Sequence, residues 1–224
     1  MRAHWILVVL NSHLNCRRWP KAMVGPTVYI IDDDRMARES LKWLIESAGL
    51  SAQVYNNGLE FLGQAEHTMS GCVLLDIRMP DINGMELYAK LKQRGNLLPV
   101  IIVTGHADVA MAVRAMKAGA YDFIEKPYND ALMLERVQSA ITFDQDNRHN
   151  QQRVATIKAC ADQLTPREQE VMRYVLDATQ NKGIAAELGI SIKTVELHRA
   201  NLMAKMQART SIELVRLALI AGLE

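Results

Sequence analysis

The chain has 224 residues, 26 basic and 25 acidic side chains, and 49% hydrophobic residues, enough for two small domains that each bury a core. No stretch approaches the roughly 20 apolar residues that span a bilayer, which excludes a transmembrane helix. Cys16, Cys72 and Cys160 are odd in number and far apart; they exclude a disulfide framework and a cysteine metal site, and suit the cytoplasm.

Residues 1–23 fit neither domain described below and are expected to be a disordered extension, with Met23 the functional first residue. Trp5–Leu10 is too short for a signal-peptide core and has Arg17 and Arg18 downstream, so secretion is not expected. From Thr27 onward, apolar runs suit strands at Thr27–Ile31, Ala52–Tyr55, Cys72–Asp76, Pro99–Val103 and Tyr121–Ile124. Helical patterns alternate with them near Arg35–Ala48, Gly58–Glu66, Gly84–Gln93, Asp108–Ala118 and Asp130–Phe143. Five strands alternating with five helices predict an α/β domain over 24–143, a doubly wound (βα)5 parallel sheet covered on both faces. Residues 144–161 are polar and rich in Gln, Asn and Arg, and read as a linker, partly helical around Gln151–Ala159. An all-α domain follows over 162–224, with helices at Pro166–Leu176, Lys182–Leu188, Ile192–Met206 and Ser211–Ala221.

Charge separates the two parts. Residues 24–143 hold 11 basic against 15 acidic side chains, whereas 182–209 hold five basic against two acidic. A cation site in front and a polyanion site behind follow from that distribution.

Asp76 ends a buried strand, where open α/β sheets place their chemistry. Asp32 and Asp33 end the first strand and Asp34 opens the next helix. An isolated Asp triplet reads as a helix cap; beside Asp76 it reads as a Mg²⁺ site. Asp33, Asp76 and the backbone carbonyl of Arg78 would be direct ligands, with Asp32 acting through water. Thr104 and Lys126, each past a later strand, would meet the oxygens of an incoming phosphoryl group. Together they describe a carboxylate nucleophile that accepts phosphoryl.

Ile31-Asp-Asp-Asp34, Leu75-Asp-Ile-Arg-Met-Pro80, Val103-Thr-Gly-His106 and Glu125-Lys-Pro127 occur in order and resemble the response-regulator receiver domain. The resemblance implies that Asp76 is phosphorylated, that Asp32 and Asp33 are the acidic pair, that Thr104 and Phe123 are switch positions and that Lys126 contacts phosphoryl. Gly105–Val113 and Met116–Ala120 resemble the FixJ-type subgroup, with Ala107 and Ala110 where that subgroup often has Gly and Pro.

In the second domain, Thr165 caps a helix with Pro166 at its first turn and Glu168 completing a capping box. Ser191 caps a longer helix after the turn at Leu188-Gly-Ile190, giving a helix-turn-helix. On a helical wheel Val195, Leu202 and Met206 face the core, and Lys193, Glu196, Leu197 and Ala200 the opposite side. Lys193 and Glu196 are candidates for base edges, Leu197 and Ala200 for thymine methyls, with Thr194 beside them. Arg199, Lys205, Lys182 and Arg209 are candidates for phosphates. Leu164-Thr-Pro-Arg-Glu168, Asn181-Lys-Gly-Ile-Ala185 and Ile190–Arg199 resemble the LuxR-type helix-turn-helix. Gly183 departs from the Glu usual there, which weakens the supporting helix. Ile212, Val215, Leu219 and Ile220 make the last helix more apolar than one core face requires.

The chain is thus similar to two-component transcriptional response regulators of the FixJ/NarL class. That resemblance implies a sensor histidine kinase, double-stranded DNA and RNA polymerase as partners, a homodimer when phosphorylated, Mg²⁺ as cofactor, and no enzyme of its own. The rivals are an aspartate-nucleophile phosphohydrolase, which wants an acid where Arg78 stands, and a phosphorylation-independent LuxR-type regulator.

Overall fold

A computed structural model describes residues 25–105 and 108–223. The extension expected over 1–23, and Ala107, lie outside them. Strands β1 (Thr27–Ile31), β2 (Ser51–Tyr55), β3 (Gly71–Leu75), β4 (Val100–Thr104) and β5 (Asp122–Glu125) pair in parallel in the order β2-β1-β3-β4-β5. Every residue of β1, β3 and β4 is buried, because helices cover both faces, whereas edge strand β2 alternates with solvent. Helices α1 (Arg35–Ser47), α2 (Gly58–Gln64), α3 (Gly84–Gln93) and α4 (Val109–Lys117) begin at Asp34, Asn57, Asn83 and Asp108, whose side chains accept from first-turn amides. One core face gathers Tyr29, Ile31, Phe61, Leu75, Leu87 and Ile102; the other gathers Ile30, Leu41, Leu74, Ile101, Met133 and Val137. The order in which successive strands are added reverses between β1 and β3, so a crevice opens at their carboxyl ends.

Gly84, the first residue of α3, sits against the loop leaving β3. A Cβ there would lie 2.2 Å from the Asp76 carbonyl oxygen. Glycine is therefore what allows α3 to approach Asp76 so closely.

The linker expected over 144–161, partly helical around Gln151–Ala159, is helical along its whole length. α5 runs unbroken from Asp130 to Ala161, 32 residues. The segment contains no Gly or Pro to stop it. Polarity there marks a helix surrounded by water rather than a break in structure. Its far end inserts Ile157 and Ala161 into the core of the second unit.

That unit comprises α6 (Pro166–Leu176), α7 (Asn181–Leu188), α8 (Ile192–Lys205) and α9 (Ser211–Ala221). Val195, Leu202 and Met206 are buried, as the wheel requires. α7 passes unbroken through Gly183 and ends at Gly189, whose φ of 64° turns the chain into α8. The Thr165–Glu168 capping box is present. Glu168 Oε2 accepts from the Thr165 amide at 2.8 Å and from Lys205 Nζ at 2.6 Å, tying α6 to α8.

Two predictions arise. Gly84→Ala should displace the backbone at Asp76 and lower stability by about 1–3 kcal/mol, measurable by urea denaturation; unchanged stability would mean that α3 shifts freely. The Lys205 hydrogen bond, then the Thr165 amide, holds the Glu168 carboxyl below its ordinary value of 4.5. A carboxyl lowered on folding stabilises above that ordinary value, and the contribution disappears as pH falls through the folded-state value. Glu168→Gln should therefore lower the melting temperature at neutral pH and flatten its fall below pH 4.5. Parallel melting curves for both proteins across that range would contradict the assignment.

Candidate functional site

The sheet register assembles the rim. Ile31 of β1 lies opposite Leu75 of β3, and the Asp76 amide donates to the Ile31 carbonyl at 2.9 Å. Asp32 and Asp76 therefore leave adjacent strands side by side, at the strand spacing of about 4.8 Å. They are 3% and 7% exposed, while Asp33 is on the surface. Asp34 is the α1 cap; Asp32 instead accepts from the Asp34 amide through one oxygen and is free to use the other. Arg38 Nη1 donates to the carbonyls of Asp32 at 2.7 Å and Asp33 at 2.9 Å, fixing the acidic turn.

Lys126 enters from the end of β5. Its amide donates to the Thr104 carbonyl at 2.9 Å, and a cis bond joins it to Pro127. Its ammonium donates to Asp32 Oδ2 at 2.6 Å and to Asp76 Oδ1 at 3.3 Å. The second Asp76 oxygen accepts from the Arg78 amide at 2.6 Å. Thr104, buried, and Phe123, half-buried, lie on the α3 side of the sheet.

Burial raises the Asp76 carboxyl above the ordinary carboxylate value; Lys126 and the Arg78 amide oppose that shift and Asp32 adds to it. Burial pulls Lys126 down, but the Asp32 hydrogen bond and both carboxylate charges outweigh it, and the net shift is upward. The group at the centre is thus a protonated amine between two desolvated acids. Such a set can stabilise three anionic oxygens on a phosphoryl group delivered to Asp76.

Among the described residues, no three His, Cys, Asp or Glu side chains are gathered into a metal cluster. Asp33, Asp76 and the Arg78 carbonyl are nevertheless hard oxygen donors. Mg²⁺ prefers one or two carboxylates and keeps its remaining positions for water and phosphate. The Asp33 carboxylate accepts no hydrogen bond from the described residues, so the donor set fits that ion.

In the second unit Lys193, Glu196, Leu197 and Ala200 form one exposed face of α8, with Leu197 59% exposed, and Lys182 is exposed on α7. Three of the expected DNA contacts also make bonds within the unit. Thr194 belongs to the helix cap, its amide and hydroxyl both bonded to Ser191. Arg199 is half-buried and donates to Ser211 Oγ at 2.9 Å, bridging α8 to α9. Lys205 is held by buried Glu168. Lys205 is a phosphate candidate by charge alone; only the position of α6 reveals its partner. Arg38 and Gly84 are the rim residues that motif reading did not assign a role, and the Asp-Asp turn and the Asn83-Gly84 helix start were their only signals.

Comparison with known proteins places both units. The response regulator receiver domain family matches residues 28–138, and the luxR family of bacterial regulatory proteins matches 162–218. Transcriptional regulatory protein FixJ of Bradyrhizobium diazoefficiens is 41% identical over 196 residues, 88% of this chain and 96% of FixJ. Response regulator protein TodT of Pseudomonas putida is 39% identical over 189 residues, 84% of this chain and 83% of TodT. Among solved structures, response regulator StyR is 35% identical with a TM-score of 0.80, covering 88% of this chain and 99% of StyR. Full-length FixJ from B. japonicum is 40% identical with a TM-score of 0.53, covering 89% of this chain and 98% of its own. A FixJ amino-terminal structure that covers 53% of this chain and 95% of its own, at 39% identity, already reaches 0.50. The chain belongs to the FixJ/NarL-type two-component response regulators, in which a receiver domain is joined to a LuxR-type DNA-binding domain.

Proposed function

We propose that Asp76 accepts a phosphoryl group from a sensor histidine kinase, and that the modified protein regulates transcription from double-stranded DNA. The observation that carries this reading is Lys126 bonded to both Asp32 and Asp76. An Asp76 oxygen attacks phosphorus as the donor's phosphorus–nitrogen bond breaks, and the bonding pair leaves on the imidazole nitrogen. Lys126 turns from the acids to the phosphoryl oxygens, and Thr104 donates its hydroxyl to them. Phe123, on the same side of the sheet, follows Thr104. Asp33, Asp76 and the Arg78 carbonyl, with Asp32 through water, would hold Mg²⁺, which would neutralise phosphoryl charge.

Modification favours one population of the receiver surface. Val109, Val113 and Met116 leave an exposed apolar stripe on α4, which supports a homodimer in the phosphorylated state. Ile212 and Leu219, 82% and 78% exposed on α9, support a second contact between output domains. Two copies present paired α8 helices to half-sites, with Lys193 and Glu196 reading bases and Lys182 and Arg199 holding phosphates. RNA polymerase is the further partner expected of such a regulator.

Asp76→Asn should abolish stoichiometric labelling by a small acyl-phosphate donor with Mg²⁺. Label retained elsewhere would remove the acceptor assignment, and rapid repeated turnover by the unmodified chain would favour a phosphohydrolase. Lys193→Ala should weaken binding to a preferred site by about 1–3 kcal/mol while leaving bulk DNA binding nearly intact. Titration against both DNAs checks this, and an equal loss on each would refute base reading.

A further inference from the structure

α5 is anchored to the receiver after the last turn that the sheet covers. The anchor is an ion pair, Asp144 buried and Arg148 half-buried, that the phosphoryl chemistry does not use. Asp144 is 1% exposed; its Oδ2 accepts from Ser70 Oγ and from the Gly71 amide, both at 2.9 Å. Arg148, one turn on, donates Nε to both Asp144 oxygens at 2.9 and 2.8 Å. Its remaining nitrogens donate to the carbonyls of His67 and Met69. Two α5 side chains therefore hold the loop that enters β3. Gly71, with φ of 126°, presses so closely on β1 that a Cβ would lie 1.9 Å from the Thr27 carbonyl oxygen.

Beyond Arg148 the helix has little support. His149 to Thr156 are exposed except for half-buried Val154, and the next anchor is Ile157 in the output core. The side-chain bond this stretch makes among the described residues, from Thr156 Oγ1 to the Gln152 carbonyl, stays inside the helix. Two turns of polar helix do not hold together in water by themselves. Their helicity depends on both ends being fixed. Between the two full-length relatives, superposition differs as well: StyR matches throughout, while full-length FixJ matches little better than its receiver portion.

We propose that Asp144 and Arg148 form a latch that keeps α5 a rigid lever between the receiver and output domains. Closed, it fixes the output domain relative to β3, whose other end leads directly into Asp76. Open, residues 149–156 melt to a tether and the output domain moves independently. The latch itself rests on geometry alone; its role in signalling rests on the function proposed above.

Hydrogen exchange on the full chain tests it. Arg148→Ala should speed amide exchange over 149–156 by about tenfold to a hundredfold, as loss of charge-assisted bonds implies, and leave β1 and β4 protected. Arg148→Lys keeps the charge but not the planar fork that meets Asp144 and two carbonyls, and should give an intermediate rate. The phosphodonor-dependent gain in DNA affinity should shrink in the same order. Unchanged exchange over 149–156, or equal acceleration throughout the receiver, would overturn the latch. Exchange that rises while the gain in DNA affinity stays whole would overturn its signalling role. The exchange readout needs neither donor nor DNA, so its failure is distinct from failure of the phosphoacceptor reading.

Discussion

One ammonium between two buried carboxylates is the interaction on which the rest depends. The β1–β3 register forces Asp32 and Asp76 to emerge as neighbours from the sheet. Two such acids, desolvated and adjacent, repel each other, and the repulsion calls for a counter-charge. Lys126 supplies that charge from the far edge of the sheet. Its bonds to the acids are also ones a phosphoryl group can replace, because its oxygens offer the amine the same kind of acceptor.

The scaffold around that triad is arranged to hold it without filling it. Arg38 ties the Asp32–Asp33 backbone from one side, and Gly84 brings α3 against Asp76 from the other. Thr104 and Phe123 lie on the sheet face that carries α3, and α4 exposes its apolar stripe beside them. Events at the rim thus have a short path to an exposed apolar surface. A second path runs down β3 to Asp144 and along α5.

Much of this was legible because strong local patterns decide it. The buried strands are short runs of Val, Ile and Leu bounded by Asp, Gly or Pro, and the described helices other than α7 are capped by Asp, Asn, Ser or Thr. All five strands and the output helices form where those patterns indicate, within a residue or two at their ends. What escaped depends on partners distant in sequence. Lys205 looks like any basic helix residue until α6 brings Glu168 to it. Asp144 sits in a run of polar residues, and nothing local says that its carboxylate is buried against Gly71. Polarity in 144–161 marks a segment between two cores but not its conformation; the absence of Gly and Pro is the signal that it is helix throughout.

The most direct test of the central claim is a crystal structure of the protein with Mg²⁺ and a beryllium fluoride phosphoryl mimic. The account predicts the mimic on a carboxylate oxygen of Asp76, with Lys126 moved from Asp32 to a fluorine and Thr104 within hydrogen-bonding distance. A mimic bound elsewhere, or Lys126 still bridging the two acids beside a modified Asp76, would contradict it.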